Sequence, residues 1–268
     1  MPRSVSKLSD LEIFAKLTRL LGEGRGAVLC TLIEKAGSGP RDVGAKMLVD
    51  PDGGIVGSIG GGGMERRLVR EALEALREGR PRTIVFALGI EARGGAVGID
   101  SKCGGEVKVL LDVVKPDPRL IIVGSGHIAK PLAEFAHRAG FEVTVVDDAA
   151  TATRERFPTA AAIHTGPFEE ALERVEVRPS DFVAVVHGET PRELTALRSM
   201  IRRGPAYIGL LGSRNKAEEH RRQLLAEGFS REEVEAIHAP IGLDIGAETP
   251  EEIAVSILAE LIRERRRG

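Results

Sequence analysis

Cysteine, net charge and long apolar runs are all scarce in this sequence, and each shortage excludes a class of protein. Its 268 residues include only two cysteines, Cys30 and Cys103, too few for a disulfide framework or a C-x-x-C metal site. The formal net charge of -2 gives no overall attraction to nucleic acid. No apolar run is long enough to cross a bilayer, and the N-terminus shows no hydrophobic signal region. We therefore expect a cytoplasmic protein that binds neither nucleic acid nor membrane.

The stretch from Arg119 to Asp148 has the order of a strand, a glycine turn, an amphipathic helix and a second strand. Its opening apolar run is short and β-branched, which is typical of a buried parallel strand. Gly124, Gly126 and Ala129 fit the pattern G-x-G-x-x-(G/A). Asp147 follows about 20 residues later, where dinucleotide-binding folds hold a ribose hydroxyl. We predict the opening βαβ unit of a Rossmann-like fold.

The glycine turn is the candidate ligand site of that fold. Gly124 is expected to permit the tight turn. Gly126 is expected to leave room for a phosphate and to adopt a positive φ. Free amides and the positive end of the helix dipole then attract the anion. NAD(P) and another nucleotide both remain open as ligands at this point.

Short strands and helices alternate over residues 119–268, which predicts a doubly wound parallel sheet with right-handed crossovers. Ligands of such sheets bind beyond the carboxyl ends of the strands. Two histidines and a polar turn fall at those predicted ends, and two cations begin a helix there, which favours an anionic ligand. The alternative is that they are ordinary capping and surface residues. The candidates are His127, His187, Ser213, Arg214 and Lys216.

Residues 1–115 predict a smaller N-terminal α/β (α+β) domain, joined to the second by the linker Lys115–Pro118. Ser9–Glu12 has the spacing of a capping box and begins a helix. Four glycines, Gly60–Gly63, later feed directly into an amphipathic helix and can present backbone amides to an anion. The Gly-Lys-Ser/Thr ending of a nucleotide triphosphate loop is missing, which argues against an ATPase; a structural turn is the alternative. The predicted packed face of the first helix is Leu11, Phe14, Leu17, Leu20 and Leu21.

The two cysteines of this domain have different settings. Cys30 lies in an apolar predicted strand, where burial raises the pKa of a thiol and blocks access to it. Cys103 lies in a glycine-rich loop, and the charge of Lys102 favours its thiolate. We therefore interpret Cys103 as the reactive thiol and Cys30 as a small buried hydrophobe. An inert loop cysteine is the alternative for Cys103.

Together, an ordered set of motifs covering nearly the whole chain resembles the XdhC/CoxI family, accessory proteins for xanthine dehydrogenase and related molybdenum hydroxylases. The motifs are Ser38–Arg41, Gly44–Val49, Gly57–Gly62 with Glu65, Cys103–Gly105, Gly124–His127, Val145–Asp148, Tyr207–Lys216 and Ala239–Pro250.

The resemblance implies a chaperone that binds molybdenum cofactor (molybdopterin), supports its sulfuration with a cysteine desulfurase, and delivers it to an apo-hydroxylase. Cys103 is then the residue that contacts sulfur or molybdenum, because a soft thiolate suits both, and His187 is a candidate chemical residue in the second domain. We also expect a homodimer. The candidate cofactor-binding residues are Gly60, Gly61, Gly62, Glu65, Gly124, Gly126, His127, Asp147, Ser213, Arg214 and Lys216.

Two other functions stay open. An NAD(P)-dependent oxidoreductase would use the Gly124 pocket, with Asp147 on the ribose and His127 or His187 as an acid. A regulatory module would sense a nucleotide there. No proton-transfer pair or triad has a spacing that requires an enzyme, which favours the chaperone.

Overall fold

The computed structural model describes residues 10–267, so the predicted cap at Ser9 lies outside the described residues. The chain divides into two compact units, one ending at Pro116 and the other running from Asp117 to Arg266. The division falls within the segment predicted as a linker. Within the described residues, no helix is long and apolar enough to cross a membrane.

The first unit is built on a six-stranded mixed sheet with the strand order β3-β2-β1-β6-β4-β5. Its strands pair antiparallel except for β4 and β5, which pair parallel. The elements are α1 Asp10–Gly22, β1 Ala27–Gly37, β2 Lys46–Val49, β3 Ile55–Gly57, α2 Gly62–Glu78, β4 Arg82–Leu88, β5 Val97–Ile99 and β6 Gly105–Val114.

Each helix of the first unit covers one face of this sheet. Alternate residues of β1 point to opposite faces, so Val28 and Cys30 pack in the same apolar cluster as Leu68 of α2. Ala27, on the other face, packs with Leu20 of α1. The sheet is therefore the middle of three layers.

The predicted packed face of α1 is wrong in its first turn. Leu11 and Phe14 are 76% and 43% exposed, whereas Ile13, which the prediction left out, is buried. Ile13, Leu17 and Leu20 form the packed stripe instead, at i, i+4 and i+7. Leu11, Ile13 and Phe14 point in different directions around the start of the helix, so their pattern does not single out the buried side.

The second unit is a doubly wound parallel sheet, which confirms the predicted fold class. Its strand order, β12-β11-β10-β7-β8-β9, is the Rossmann order, and every pair is parallel. The elements are β7 Arg119–Val123, α3 Ala129–Arg138, β8 Glu142–Val146, β9 Ala162–His164, α4 Phe168–Glu173, β10 Phe182–Val185, α5 Thr190–Ile201, β11 Tyr207–Leu210, α6 Arg214–Ala226, α7 Arg231–Glu235, β12 Ile237–His238 and α8 Pro250–Arg267.

Both faces of this second sheet are buried, as its nearly continuous apolar strands require. Ile121 of β7 faces a cluster that includes Leu197 of α5. Ile122 faces the opposite cluster, with Leu132 of α3 and Leu261 of α8. From β7 the chain builds one side of the sheet through β8 and β9, and it then crosses back to build the other side from β10. A crevice for ligands forms at such a switch point, beyond the carboxyl ends of these strands.

Candidate functional site

The glycine loop of the first unit ends in a helix start that no side chain caps. Gly61 is the N-cap of α2, with φ 78°, and as a glycine it has no side chain to cap the amides that follow it. The first amides of any α-helix have no acceptor within the helix, so those at the start of α2 are available to a ligand. A Cβ at Gly61 or Gly62 would meet nothing within 4 Å. The space above these two glycines is therefore open, and positive φ alone explains why they are glycines.

Glu65 shapes this loop from within. Its Oε1 accepts hydrogen bonds from Ser58 Oγ at 2.7 Å, Ile59 N at 3.3 Å and Gly61 N at 2.9 Å. A carboxylate oxygen with three donors has no capacity left for a ligand on that side. Glu65, which was predicted to bind the cofactor, therefore holds the loop in its conformation through hydrogen bonds within the loop.

Contacts connect this loop to two other sequence motifs of the first unit. A Cβ at Gly60 would lie 2.7 Å from Pro40 Cγ, and one at Gly63 would lie 3.6 Å from Ile99 Cγ2. Ser38 N donates to Gly104 O at 3.4 Å. The Ser38–Arg41 turn, the glycine loop and the Cys103–Gly105 segment therefore form one group of neighbouring loops.

Cys103 and Cys30 differ as the sequence predicts. Cys30 is completely buried in β1, and that burial raises the pKa of its thiol to about 12, which confirms its assignment as a buried hydrophobe. Cys103 is half-buried rather than bare, because it packs partly against the core. Its amide donates to Ser101 Oγ at 3.1 Å, and its carbonyl oxygen would lie 2.7 Å from a Cβ at Gly89. The loop is held in place, and Cys103 remains partly exposed.

In the second unit, the glycine that needs a positive φ and has no room for a side chain is Gly124, whereas the sequence pattern predicted the positive φ at Gly126. Gly124 has φ +114°, and a Cβ there would lie 2.8 Å from the backbone Cα of His187. Gly126 does not have a positive φ, so that part of the prediction is wrong. A Cβ at Gly126 would meet nothing within 4 Å, which leaves open space above the turn.

Asp147 closes the glycine turn onto the end of β8. It is 3% exposed, and its Oδ2 accepts from both the amide and the hydroxyl of Ser125, each at 2.6 Å. Its Oδ1 accepts from Ala149 N at 3.2 Å. Asp147 therefore faces the protein, whereas a ribose-binding acid faces its ligand. Sequence reasoning missed Ser125, although its place between Gly124 and Gly126 was a signal.

His187 lies at the end of β10, against the closed turn. Its side chain is 7% exposed, and Nε2 lies 3.3 Å from Asp147 Oδ1. The ring of Phe168 meets the imidazole edge to face, with centroids 5.5 Å apart. The neighbouring Asp148 holds Arg192, with 3.1 Å from Nε to Oδ1 and 2.5 Å from Nη2 to Oδ2. Hydrogen bonding to this guanidinium holds the pKa of Asp148 below its ordinary value.

Lys216 points inward instead of towards a ligand. Its Nζ lies 2.7 Å from Oε2 of Glu193, which is completely buried, and His220 Nε2 lies 3.1 Å from the same oxygen. Gly188 N donates to Oε1 of Glu193 at 3.1 Å, which ties the segment after His187 to this network. Sequence reasoning missed Glu193, because a single acid in an amphipathic helix is ordinarily on the solvent side.

The other predicted residues of the second unit lie at the surface. Ser213 Oγ caps α6 by accepting from Lys216 N at 3.3 Å. Arg214 is exposed and has no ion-pair partner among the described residues, so its charge is free to meet an anion. His127 is exposed just before α3. The structure therefore brings Gly124, Asp147 and His187 into contact and leaves His127 and Arg214 facing solvent.

The fold and the sites define a two-unit α/β protein: a mixed-sheet unit with a glycine loop and a loop cysteine, followed by a Rossmann-type unit whose acid is turned onto the glycine turn. Residues 120–261 match the family described as the XdhC Rossmann domain, and residues 20–87 match the XdhC and CoxI family. The chain belongs to the XdhC/CoxI family.

Individual relatives extend over both units. The Escherichia coli (strain K12) protein named "Uncharacterized protein YqeB" is 37% identical over 94% of this chain and 46% of its own length. The chain thus spans about half of that relative. The "Molybdenum cofactor insertion chaperone PaoD" of the same organism is 28% identical over 90% of this chain and 84% of its own length. A solved structure described as a xanthine dehydrogenase from Bacillus halodurans is 27% identical, covers 96% of both chains and has a TM-score of 0.51.

Proposed function

We propose that this protein binds molybdenum cofactor, supports its sulfuration with a cysteine desulfurase, and delivers it to an apo-hydroxylase of the xanthine dehydrogenase class. The observation that carries this proposal is the group of neighbouring loops in the first unit, which contains both the partly exposed Cys103 and the glycine loop at the start of α2. The relative named as a molybdenum cofactor insertion chaperone, aligned over 84% of its length, supports the same function.

The chemistry of these loops suits the cargo. The cofactor carries a phosphate and a polar ring system, and free amides at a helix start bind phosphate. Gly61 and Gly62 leave that helix start open, while Glu65 holds the loop in shape. A thiolate is a soft ligand that suits both molybdenum and sulfur. Cys103 is therefore the residue that meets the reactive end of the cargo, and the glycine loop meets its phosphate.

The second unit is proposed to bind the phosphate-bearing part of a ligand beyond the Gly124 turn. Open space above Gly126 and the unpaired charge of Arg214 support this role. Arg214→Ala removes a charge-assisted bond to the phosphate, which is worth about 1.5–3 kcal/mol. It should also flatten the salt dependence of binding, because exposed contacts are screened. We further propose a homodimer as the working form.

Co-purification tests the cargo assignment. Wild type, Cys103→Ser and Cys30→Ala are expressed with and without molybdenum cofactor synthesis, and bound pterin and molybdenum are measured by fluorescence and mass spectrometry. Wild type and Cys30→Ala should retain cofactor and activate an apo-hydroxylase, whereas Cys103→Ser should fold but lose cofactor or activation. If Cys103→Ser matches wild type in both measurements, the role of Cys103 is wrong. If wild type retains neither pterin nor molybdenum, the cargo assignment is wrong.

A further inference from the structure

The crevice of the second unit contains two acids and a histidine at the ends of neighbouring strands. Asp147 and Asp148 follow β8, and His187 follows β10. One ligand atom from each of these residues lies within 4.8 Å of the other two. We propose that Asp147, Asp148 and His187 bind a divalent cation, at a site separate from the molybdenum cargo of the first unit.

His187 gives the strongest indication of a ligand. Its side chain is 7% exposed, yet neither ring nitrogen has a hydrogen-bond partner among the described residues. Nε2 lies 3.3 Å from Asp147 Oδ1, yet the two atoms do not form a hydrogen bond. Buried polar side chains are otherwise bonded to protein, water or metal. A bound ion accounts for a buried imidazole that approaches a carboxylate without bonding to it.

The separation of the two atoms fits a shared ion. Zinc binds histidine nitrogen and carboxylate oxygen at about 2.0–2.2 Å. Two ligands at that distance, placed at tetrahedral angles around one ion, are about 3.3–3.5 Å apart. The observed 3.3 Å between Nε2 of His187 and Oδ1 of Asp147 falls in this range.

The surrounding residues hold both acids in place. Ser125 bonds to Oδ2 of Asp147 through its amide and its hydroxyl, which leaves Oδ1 on the side of His187. Arg192 holds Asp148 by donating to both of its carboxylate oxygens. Outer partners of this kind orient the carboxylates of metal sites. Arg192 is the one arginine or lysine paired with these acids among the described residues, so one negative charge remains for a cation to neutralise.

The donor set selects the kind of ion. One imidazole nitrogen with carboxylate oxygens suits manganese or zinc, whereas calcium takes six to eight oxygens. Manganese is the better probe, since carboxylates suit it while soft thiolates such as Cys103 select other metals. An ion at this position would add positive charge beside the Gly124 turn.

Titration of the full chain with Mn²⁺ alone, followed by the electron paramagnetic resonance signal of the free ion, tests the site. Wild type should bind one ion per chain. His187→Asn and Asp147→Asn should each weaken binding at least tenfold. His137→Asn, at an exposed histidine on α3, is the matched control and should bind as wild type does. Equal affinity in wild type and His187→Asn, or an equal loss in His137→Asn, would overturn the site.

A second measurement on wild type does not depend on the variants folding. Mn²⁺ broadens the proton resonances of nearby imidazoles, so substoichiometric Mn²⁺ should broaden the His187 ring signals before those of His137. Broadening of His137 first, or of all histidines together, would mean that the ion binds elsewhere. No molybdenum cofactor enters either measurement, so the result is independent of the proposed cargo.

Discussion

At the scale of single residues, the site depends on positions where one substitution would change both the backbone conformation and a close contact. Gly124 is the clearest case, because its backbone conformation and its distance from His187 both exclude a side chain. Cys30 and Cys103 make a different comparison possible, because the same residue type is buried at one position and partly exposed at the other in the same unit. A substitution or labelling experiment at one of these residues can therefore be compared with the same experiment at a second residue of the same type.

Gly124→Ala should destabilise the protein by about 2–4 kcal/mol. Positive φ in a residue other than glycine costs about 1–3 kcal/mol, and forcing a Cβ against backbone adds about 1 kcal/mol or more. Urea unfolding measures the loss. Gly126→Ala is the matched control and should change stability by under about 1 kcal/mol, because its φ is not positive and its Cβ meets nothing within 4 Å. Equal losses at both positions would contradict the geometry of the turn.

Native alkylation at pH 7.5 should label Cys103 well before Cys30. Only the thiolate reacts, and a thiol whose pKa is about 12 is almost entirely protonated at that pH. Cys30 is also completely buried, so it should react only after unfolding. Peptide mass spectrometry after timed quenching gives the order, and early labelling of Cys30 in folded protein would contradict the assignment.

At the scale of helices, strands and loops, carboxylates that are buried or partly buried hold the ends of elements in place. Glu65 holds the glycine loop before α2, Asp147 holds the turn after β7, and Glu193 joins α5 to the start of α6. Each acid accepts from backbone amides or cations that a loop would otherwise leave unpaired. The loops at the candidate sites are thus ordered by carboxylates of the chain itself.

Glu65→Ala should loosen the glycine loop. The change removes the acceptor of Ser58 Oγ and of two amides, Ile59 N and Gly61 N, and an unpaired donor costs about 1–3 kcal/mol. Hydrogen exchange should accelerate at least tenfold at the Ile59 and Gly61 amides, with overall stability lowered by about 1–3 kcal/mol. Arg70→Ala, at an exposed position of α2, is the control. Unchanged exchange in Glu65→Ala would show that the carboxylate does not hold the loop.

Lys216→Met should lower the free energy of unfolding by about 2–4 kcal/mol. It leaves the buried Glu193 carboxylate with His220 as its remaining side-chain partner, and breaking a buried pair costs about 3–5 kcal/mol. The estimate is reduced because the lysine is itself 25% exposed. Arg214→Met, two residues earlier and exposed, should change stability by under about 0.5 kcal/mol. Chemical unfolding measures the free energy of unfolding of both variants. Equal values would mean that the ion pair between Lys216 and Glu193 does not stabilise the fold.

Strand and helix positions were predictable because their patterns are local. The run before Gly124 and the segment ending at Val146 are apolar and β-branched, and both form the predicted strands. The direction in which an acidic side chain points is not determined by local sequence. Asp147 turns towards Ser125 and Glu193 towards Lys216 only because other elements bring those donors there. Sequence reasoning could place the candidate site at the strand ends but could not separate its contacting residues from its supporting ones.

At the scale of the whole molecule, each unit has its own buried core. We propose that the second unit is an independent domain, because its clusters lie on both faces of a complete six-stranded sheet. Residues 117–268 expressed alone should unfold cooperatively and give dispersed amide resonances. A fragment of residues 117–248 should not unfold cooperatively or give dispersed resonances, because it lacks Ile257 and Leu261 of α8, which belong to the core. A disordered spectrum for residues 117–268 would contradict independence.

Both sheets end in very short strands, and this limits how the chain associates with itself. The edge strands are β3, β5 and β9 with three residues each, and β12 with two. Unpaired backbone groups on a long edge recruit strands from other molecules, which leads to aggregation and fibres. Two or three residues offer too few such groups for stable pairing. The proposed homodimer is therefore expected to form through side chains rather than by pairing of these edge strands, and concentrated solutions should resist fibre formation.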